Sequence, residues 1–350
     1  SLYGHQGRSY DDRSPSSSGP PPRRGMTSSA YGMTPTSLAH ARKNLGLHGS
    51  AAGWFLAREV RNHPKALIIC ADRKEVEDVL EDLRFFQGTA GVSVFPSWET
   101  LPLEPVSPGI EISAQRIQTL YEITHAPSFT VVTSAEALVQ RIIPPDYLDQ
   151  LKVDIHVGSL INRDPFVATL VDGGFNTTKS VSQVGDLAIK GAVIDLFPGN
   201  TPHPVRIEFE FNKVVRLVTF DPESQRSLGD LSSVSILPVK EFPLPSWYAN
   251  ARERITTTLK ERAMAIGTPL REVEKVLQAL DQRAEYPSLE LLQYIFAPSI
   301  TSLTQLLPKD TKVFTLDSHK IQRSLEEFLE NAHDRSARLI DEQHLIPKVD

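Results

Sequence analysis

Cysteine is all but missing from this chain, with Cys70 the one example in 350 residues. A single cysteine excludes an internal disulfide and any C-x-x-C metal or redox pair, and it fits a reducing compartment. It stands in the apolar run Ala66-Leu67-Ile68-Ile69-Cys70-Ala71. A buried strand thiol is the expected reading, and such a thiol is a poor nucleophile. No apolar run approaches the roughly 18 residues that a membrane span needs, and no charged-then-apolar signal segment opens the chain. The expectation is a cytoplasmic protein with no membrane partner. Positive charge is in short supply too: 37 Lys and Arg face 43 Asp and Glu, a net charge of -6. A dedicated nucleic-acid binder normally carries a basic domain or stripe, and no long run of lysine and arginine is present. The ten histidines never recur in an H-x-x-x-H pair, so a zinc site has no support. The G-x-S-x-G elbow of hydrolases is also absent. No catalytic residue, metal or cofactor is therefore expected.

The length suggests two or three domains. Residues 1–33 are rich in Ser, Pro, Gly and Arg and lack the apolar residues that offset ordering entropy, so they read as a disordered leader or tag, with Met26 a natural start. From 34 to 150 helix and strand patterns alternate: a helix over Ser50 to Arg61, a strand over Ala66 to Cys70, and a helix over Glu75 to Phe86. A strand at Val92 to Phe95, a helix from Ser113 to Ile123, a strand at Phe129 to Thr133 and a helix at Ala135 to Gln140 continue the series. That alternation implies an α/β lobe with a parallel sheet covered on both faces. The texture changes near Leu151. Strands are expected over Leu151 to Val157, Gly191 to Phe197, Val205 to Phe211 and Val214 to Phe220, with a tight turn at Asn212-Lys213. Apolar and charged residues alternate in the third of these, as in antiparallel strands with one wet face, so 151–243 reads as an α+β domain. Over 244–350 the chain returns to helices at Ala251 to Ala265 and Pro269 to Leu280. A strand at Thr311 to Leu316 and a helix from Ser318, capped by Asp317, follow. This return suggests that the first lobe resumes.

The stretch from Gly46 to Gly53 has the outline of a phosphate-binding loop, G-x-x-x-x-G-K-[ST], whose lysine neutralises phosphate and whose hydroxyl holds magnesium. Gly46 and Gly49 keep the first half, but Ala51, Ala52 and Gly53 stand where Gly, Lys and Ser or Thr belong. Nucleotide hydrolysis is not expected here. The same residues also fit a plain small-residue turn before a helix beginning near Trp54. Asp195 and Glu208 are carboxylates at alternating strand positions, read as a solvated face rather than an acid/base pair.

Three groups of segments carry a family resemblance. Val94-Phe95-Pro96-Ser97-Trp98-Glu99-Thr100-Leu101-Pro102, with Ser107-Pro108, Arg116 and Leu120-Tyr121, resembles the first domain of the bacterial transcription-repair coupling factors. Val153 to Gly158, Arg163-Asp164, Gly173-Gly174-Phe175, Lys190 to Pro198 and Pro204 to Phe209 are similar to the module those factors share with the excision-repair protein UvrB. Phe220 to Ser227 and Leu237 to Pro243 close that part. The resemblance spans about 36 to 345. It implies a degenerate helicase-like (RecA-like) lobe with an inserted UvrA-binding domain, the N-terminal module of a coupling factor acting in nucleotide excision repair. UvrA would be the partner. For the full-length protein it implies RNA polymerase and duplex DNA as further partners and an ATP-dependent DNA translocase activity. Carried onto this chain, the UvrA-binding positions are Lys179, Lys190, Gly191, Phe197 and Arg206, while a second family arginine falls at Ala188. The alternatives are a UvrB-like helicase lobe using ATP, against which the missing loop lysine stands, and a DNA-binding clamp, against which the acidic balance stands.

Overall fold

The computed structural model describes residues 46–47, 49–88, 91–100, 104, 106–142, 145–241, 245–282 and 302–342. The expected leader, 1–33, lies outside them. The elements below fall within the unit His48–Asp350.

The chain first lays down α1 (Ser50–Val60), β1 (Lys65–Cys70), α2 (Arg73–Gln87), β2 (Val92–Phe95), α3 (Ile110–His125), β3 (Phe129–Ser134), α4 (Ala135–Val139) and α5 (Pro145–Leu151). There follow β4 (Val153–His156), α6 (Arg163–Asp172), β5 (Asn176–Thr177), β6 (Asp186–Lys190), β7 (Val193–Leu196), β8 (Val205–Glu210), β9 (Lys213–Phe220), β10 (Ser227–Leu231) and β11 (Ser233–Ile236). The last elements are α7 (Pro245–Ile266), α8 (Leu270–Asp281), α9 (Leu303–Leu306), β12 (Lys312–Thr315) and α10 (Ser318–Asp341).

One sheet is parallel throughout, in the order β12-β1-β3-β2. Its central strands β1 and β3 are buried almost throughout because both faces are covered. On one side Leu56, Val60, Val79 and Leu83 of α1 and α2 pack on Ile68 and Val132. On the other, Ile117 and Leu120 of α3, Leu303 of α9 and Ile321 of α10 pack on Leu67, Ile69 and Val131. The side chain of Asp72 accepts the Glu75 N–H to start α2, and Asp317 does the same for His319 and Lys320 at α10. β12 adds to β1, so a strand from the end of the chain completes a sheet begun near its start.

The second sheet has six strands in the order β10-β9-β8-β7-β6-β5, antiparallel except for β5 on β6. Its inner face, Leu187, Ile194, Leu196, Ile207 and Leu217, packs on Phe166 and Leu170 of α6. β4 and β11 pair separately, joining the entry and exit of this segment. The mixed α/β class with one parallel and two antiparallel sheets agrees with the sequence reading. Several details differ. Leu151 ends α5 instead of opening a strand, α3 begins at Ile110, and the β8–β9 turn is Phe211-Asn212, with Phe211 at φ +55°. α5, β5, β6, β10, β11 and α9 are too short for a period to register, and α6 shows little sidedness, so the sequence pattern does not mark them.

Helix α3 belongs to both cores. Its Ile117 and Leu120 serve the parallel lobe, while Ala114 sits in the antiparallel core with Ile110 packed against it. The contact is close enough to require glycine: a Cβ on Gly199 would come within 2.3 Å of the Ala114 Cβ, and one on Gly185 within 2.1 Å of Ile110 Cδ1.

Candidate functional site: a charged sheet face and a degenerate phosphate loop

The remnant loop is built as the N-terminus of α1. Gly46 and Gly49 are both left-handed, at φ +88° and +55°, which glycine adopts without strain. Gly49 caps α1 without a side-chain hydrogen bond, and Ala51 and Ala52 lie in the first turn. The helix therefore starts at Ser50, four residues before the turn reading placed it. Gly53 is not a turn residue at all. It is buried inside α1, and a Cβ there would lie 2.2 Å from Asp82 Oδ2 and 2.3 Å from Asp82 Cβ on α2. The position where a phosphate loop needs its hydroxyl is thus filled by a neighbouring helix, and the lysine position holds the half-buried Ala52.

Lys190, Phe197 and Arg206 share the outer face of the six-stranded sheet, away from α6. Strand register sets Ala188 opposite Asp195 and Asp195 opposite Arg206. Lys190 closes β6 and pairs with Val193 across the turn Gly191-Ala192, whose Gly191 takes φ +61°. The Gly191 carbonyl accepts a hydrogen bond from the Arg163 guanidinium, which ties the turn to the start of α6. Asp195 is fully buried, and Arg206 grips it as a fork, Nε to Oδ1 at 2.7 Å and Nη2 to Oδ2 at 3.0 Å. That hydrogen bond to Asp195 raises the Arg206 pKa above its ordinary value. The guanidinium also lies over the Phe220 ring, 4.6 Å from its centroid. Lys190 Nζ stands 3.7 Å from the same carboxylate and is half exposed.

Two expectations change here. Asp195 is not on a solvated face, and Arg206 is committed to an internal partner instead of standing free for an acidic one. Two cations on one carboxylate leave a net positive charge, and Lys190 is its exposed part. Phe197 is half-buried against Val181, Ala188 and Phe220, so it is partly core. Lys179, in the bend after β5, is exposed and has no ion-pair partner among the described residues. Glu208 pairs with Arg216 at 3.4 Å, and Arg216 with Asp230 at 2.9 Å, so this neighbouring group carries one net negative charge.

Sequence reasoning assigned no role to Arg116, which is completely buried where the two cores meet. It bonds Glu241 through Nε and Nη2, the Pro96 carbonyl through Nη1 at 2.7 Å and Gln140 Oε1 at 3.0 Å. Trp98 Nε1 donates to the same Glu241 at 3.0 Å, and Trp98 N to Gln140 Oε1 at 3.0 Å. Burial pulls the Arg116 pKa below its ordinary value although Glu241 opposes the shift.

Residues 153–242 match the family described as the UvrB interaction domain. The chain is 29% identical over 244 residues to the transcription-repair-coupling factor of Haemophilus influenzae, covering 70% of this chain and 21% of that one. It is 27% identical over 299 residues to that of Mycobacterium bovis, covering 80% and 24%, and 29% identical over 217 residues to that of Bacillus subtilis, covering 61% and 18%. The chain thus spans about a fifth to a quarter of the length of such relatives. These matches support a module of a transcription-repair coupling factor. Among the described residues no helix is long and apolar enough to cross a membrane, and no group of His, Cys, Asp or Glu has the arrangement of a metal site.

Proposed function

We propose that this chain is the adaptor module of a transcription-repair coupling factor, recruiting UvrA for excision of lesions at which RNA polymerase has stalled. The observation that carries the reading is the match of 153–242 to the UvrB interaction domain, because those residues form the sheet whose outer face bears the half-exposed Lys190. Lys179, Lys190 and Gly191 are the contacts offered to an acidic surface of the partner, with the exposed part of Phe197 as an apolar anchor. Arg206 acts from behind, as the fork that holds Asp195.

The parallel lobe is proposed as a helicase-like scaffold that does not hydrolyse nucleotide, a reading supported by the packing of Gly53 against Asp82 and by Ala52 in the lysine position. Translocation on duplex DNA and the contact with RNA polymerase are assigned to the rest of the coupling factor.

Titration calorimetry against purified UvrA tests the reading, with a Lys179→Glu/Lys190→Glu variant of unchanged circular dichroism as the control. Binding by the parent chain and loss of at least about tenfold in the variant is the expected result, since like-charge juxtaposition costs several kcal/mol at an interface. A folded parent chain that does not bind UvrA would overturn the recruitment role.

A further inference from the structure

Segments far apart in the chain converge on one guanidinium. Arg116 comes from α3, Pro96 and Trp98 from the loop after β2, Gln140 from the end of α4, and Glu241 from the stretch by which the chain leaves the antiparallel unit. Arg116 and Glu241 are both essentially inaccessible to water. The Arg116 guanidinium stacks 4.1 Å from the centre of the Phe95 ring and 5.3 Å from that of Trp98, which fixes its plane.

Stability is a weak reason to bury such a pair. Two charges taken out of water lose hydration that their mutual attraction scarcely offsets, and an apolar pair of similar volume is often as stable or more so. An apolar pair lacks direction. A planar guanidinium with its N–H groups in a fixed fork accepts one angular arrangement of its acceptors. The apolar contacts at this junction, Ile110 on Gly185 and Ala114 on Gly199, supply adhesion without selecting an angle. The residues just before Glu241 lie in different cores, Leu237 in the parallel lobe and Val239 in the antiparallel unit, so a rotation at the junction displaces Glu241.

We infer that the Arg116–Glu241 pair is an orientation lock, selecting one docking angle of the antiparallel sheet on the parallel lobe. The lock determines where the Lys190 face points relative to the lobe, and it operates whether or not a partner binds.

The test is a distance measurement between nitroxide labels at Lys74→Cys on α2 and Lys213→Cys on β9, in a Cys70→Ala background, by pulsed electron resonance. With Arg116 present the distance distribution is narrow and single. In Arg116→Met/Glu241→Leu the chain stays folded, at a thermal midpoint lowered because Trp98 Nε1 and the Pro96 carbonyl lose their partners, and the distribution is about twofold wider or more. Should that variant fail to fold, Arg116→Lys keeps the charge and loses the fork, and it widens the distribution in the same way. A distribution as narrow in the folded variant as with Arg116 overturns the lock, and so does a broad distribution in the background protein.

Discussion

Lys190 and Arg206 look alike as cations of one sheet face and differ in what each does there. Arg206 satisfies a fully buried carboxylate through two hydrogen bonds, whereas Lys190 reaches it only at 3.7 Å and is half exposed. Removing one member of a buried pair strands the other charge. Arg206→Ala is therefore expected to lose about 3–5 kcal/mol of stability in urea denaturation, and Lys190→Ala no more than about 1 kcal/mol. Equal losses would contradict the division of roles. Alternation along the strand marked Asp195 as outward-facing, and so it is, but the pattern could not show that Arg206 and Phe220 cover it. Asp72 gives a second test at this scale. Accepting the Glu75 backbone N–H, with Lys320 adding its charge, holds the Asp72 carboxyl below the usual carboxylate range. A lowered folded pKa means that the stabilisation is present above the ordinary value of about 3.9 and fades as pH falls through the lowered one. Asp72→Asn keeps the cap and removes the titration. Its thermal midpoint should fall less steeply than the parent's as pH drops below about 4, and an unchanged acid slope would exclude Asp72 as a source.

At the scale of elements, the contact between α1 and α2 explains why the phosphate loop cannot simply be restored. Gly53 lets Asp82 approach to a distance that no side chain permits. Ala51→Gly/Ala52→Lys/Gly53→Thr rebuilds the loop motif, yet threonine must push the helices apart. The expected result is a loss of about 1–3 kcal/mol in thermal or urea unfolding, with no binding of a fluorescent ATP analogue. Binding with unchanged stability would show that the loop geometry is still competent. The long elements were legible because their periods repeat often enough to count: α2 shows Val76, Val79, Leu80 and Leu83 on one face, and all four are buried. β5, of two residues, carries no period, and α6 hides behind a proline at its third position and a weakly sided composition.

At the scale of the molecule, the two cores meet along α3, and the glycines opposite it are the weak points of that junction. Gly199→Ala places a methyl 2.3 Å from the Ala114 Cβ, while Gly229→Ala on β10 meets nothing nearer than Thr219 Oγ1 at 3.8 Å. The first is expected to lower stability by about 1–3 kcal/mol and the second by well under 1 kcal/mol. Thermal melts of the two variants side by side decide it, and a Gly199→Ala as benign as Gly229→Ala would mean that the junction is looser than this packing requires.

Local order set much of this protein: apolar periods laid out its long helices and strands, the single cysteine and the short supply of positive charge excluded whole classes of chemistry, and the missing lysine at Ala52 argued against a nucleotide motor. Burial and pairing across long separations were decided only by the tertiary structure. Asp195 finds Arg206 from the next strand, Gly53 finds Asp82 from the next helix, and Arg116 finds Glu241 across 125 residues of chain. A sequence shows each of these residues beside its covalent neighbours, whereas its charge or its lack of a side chain acquires meaning from the atoms that folding brings against it.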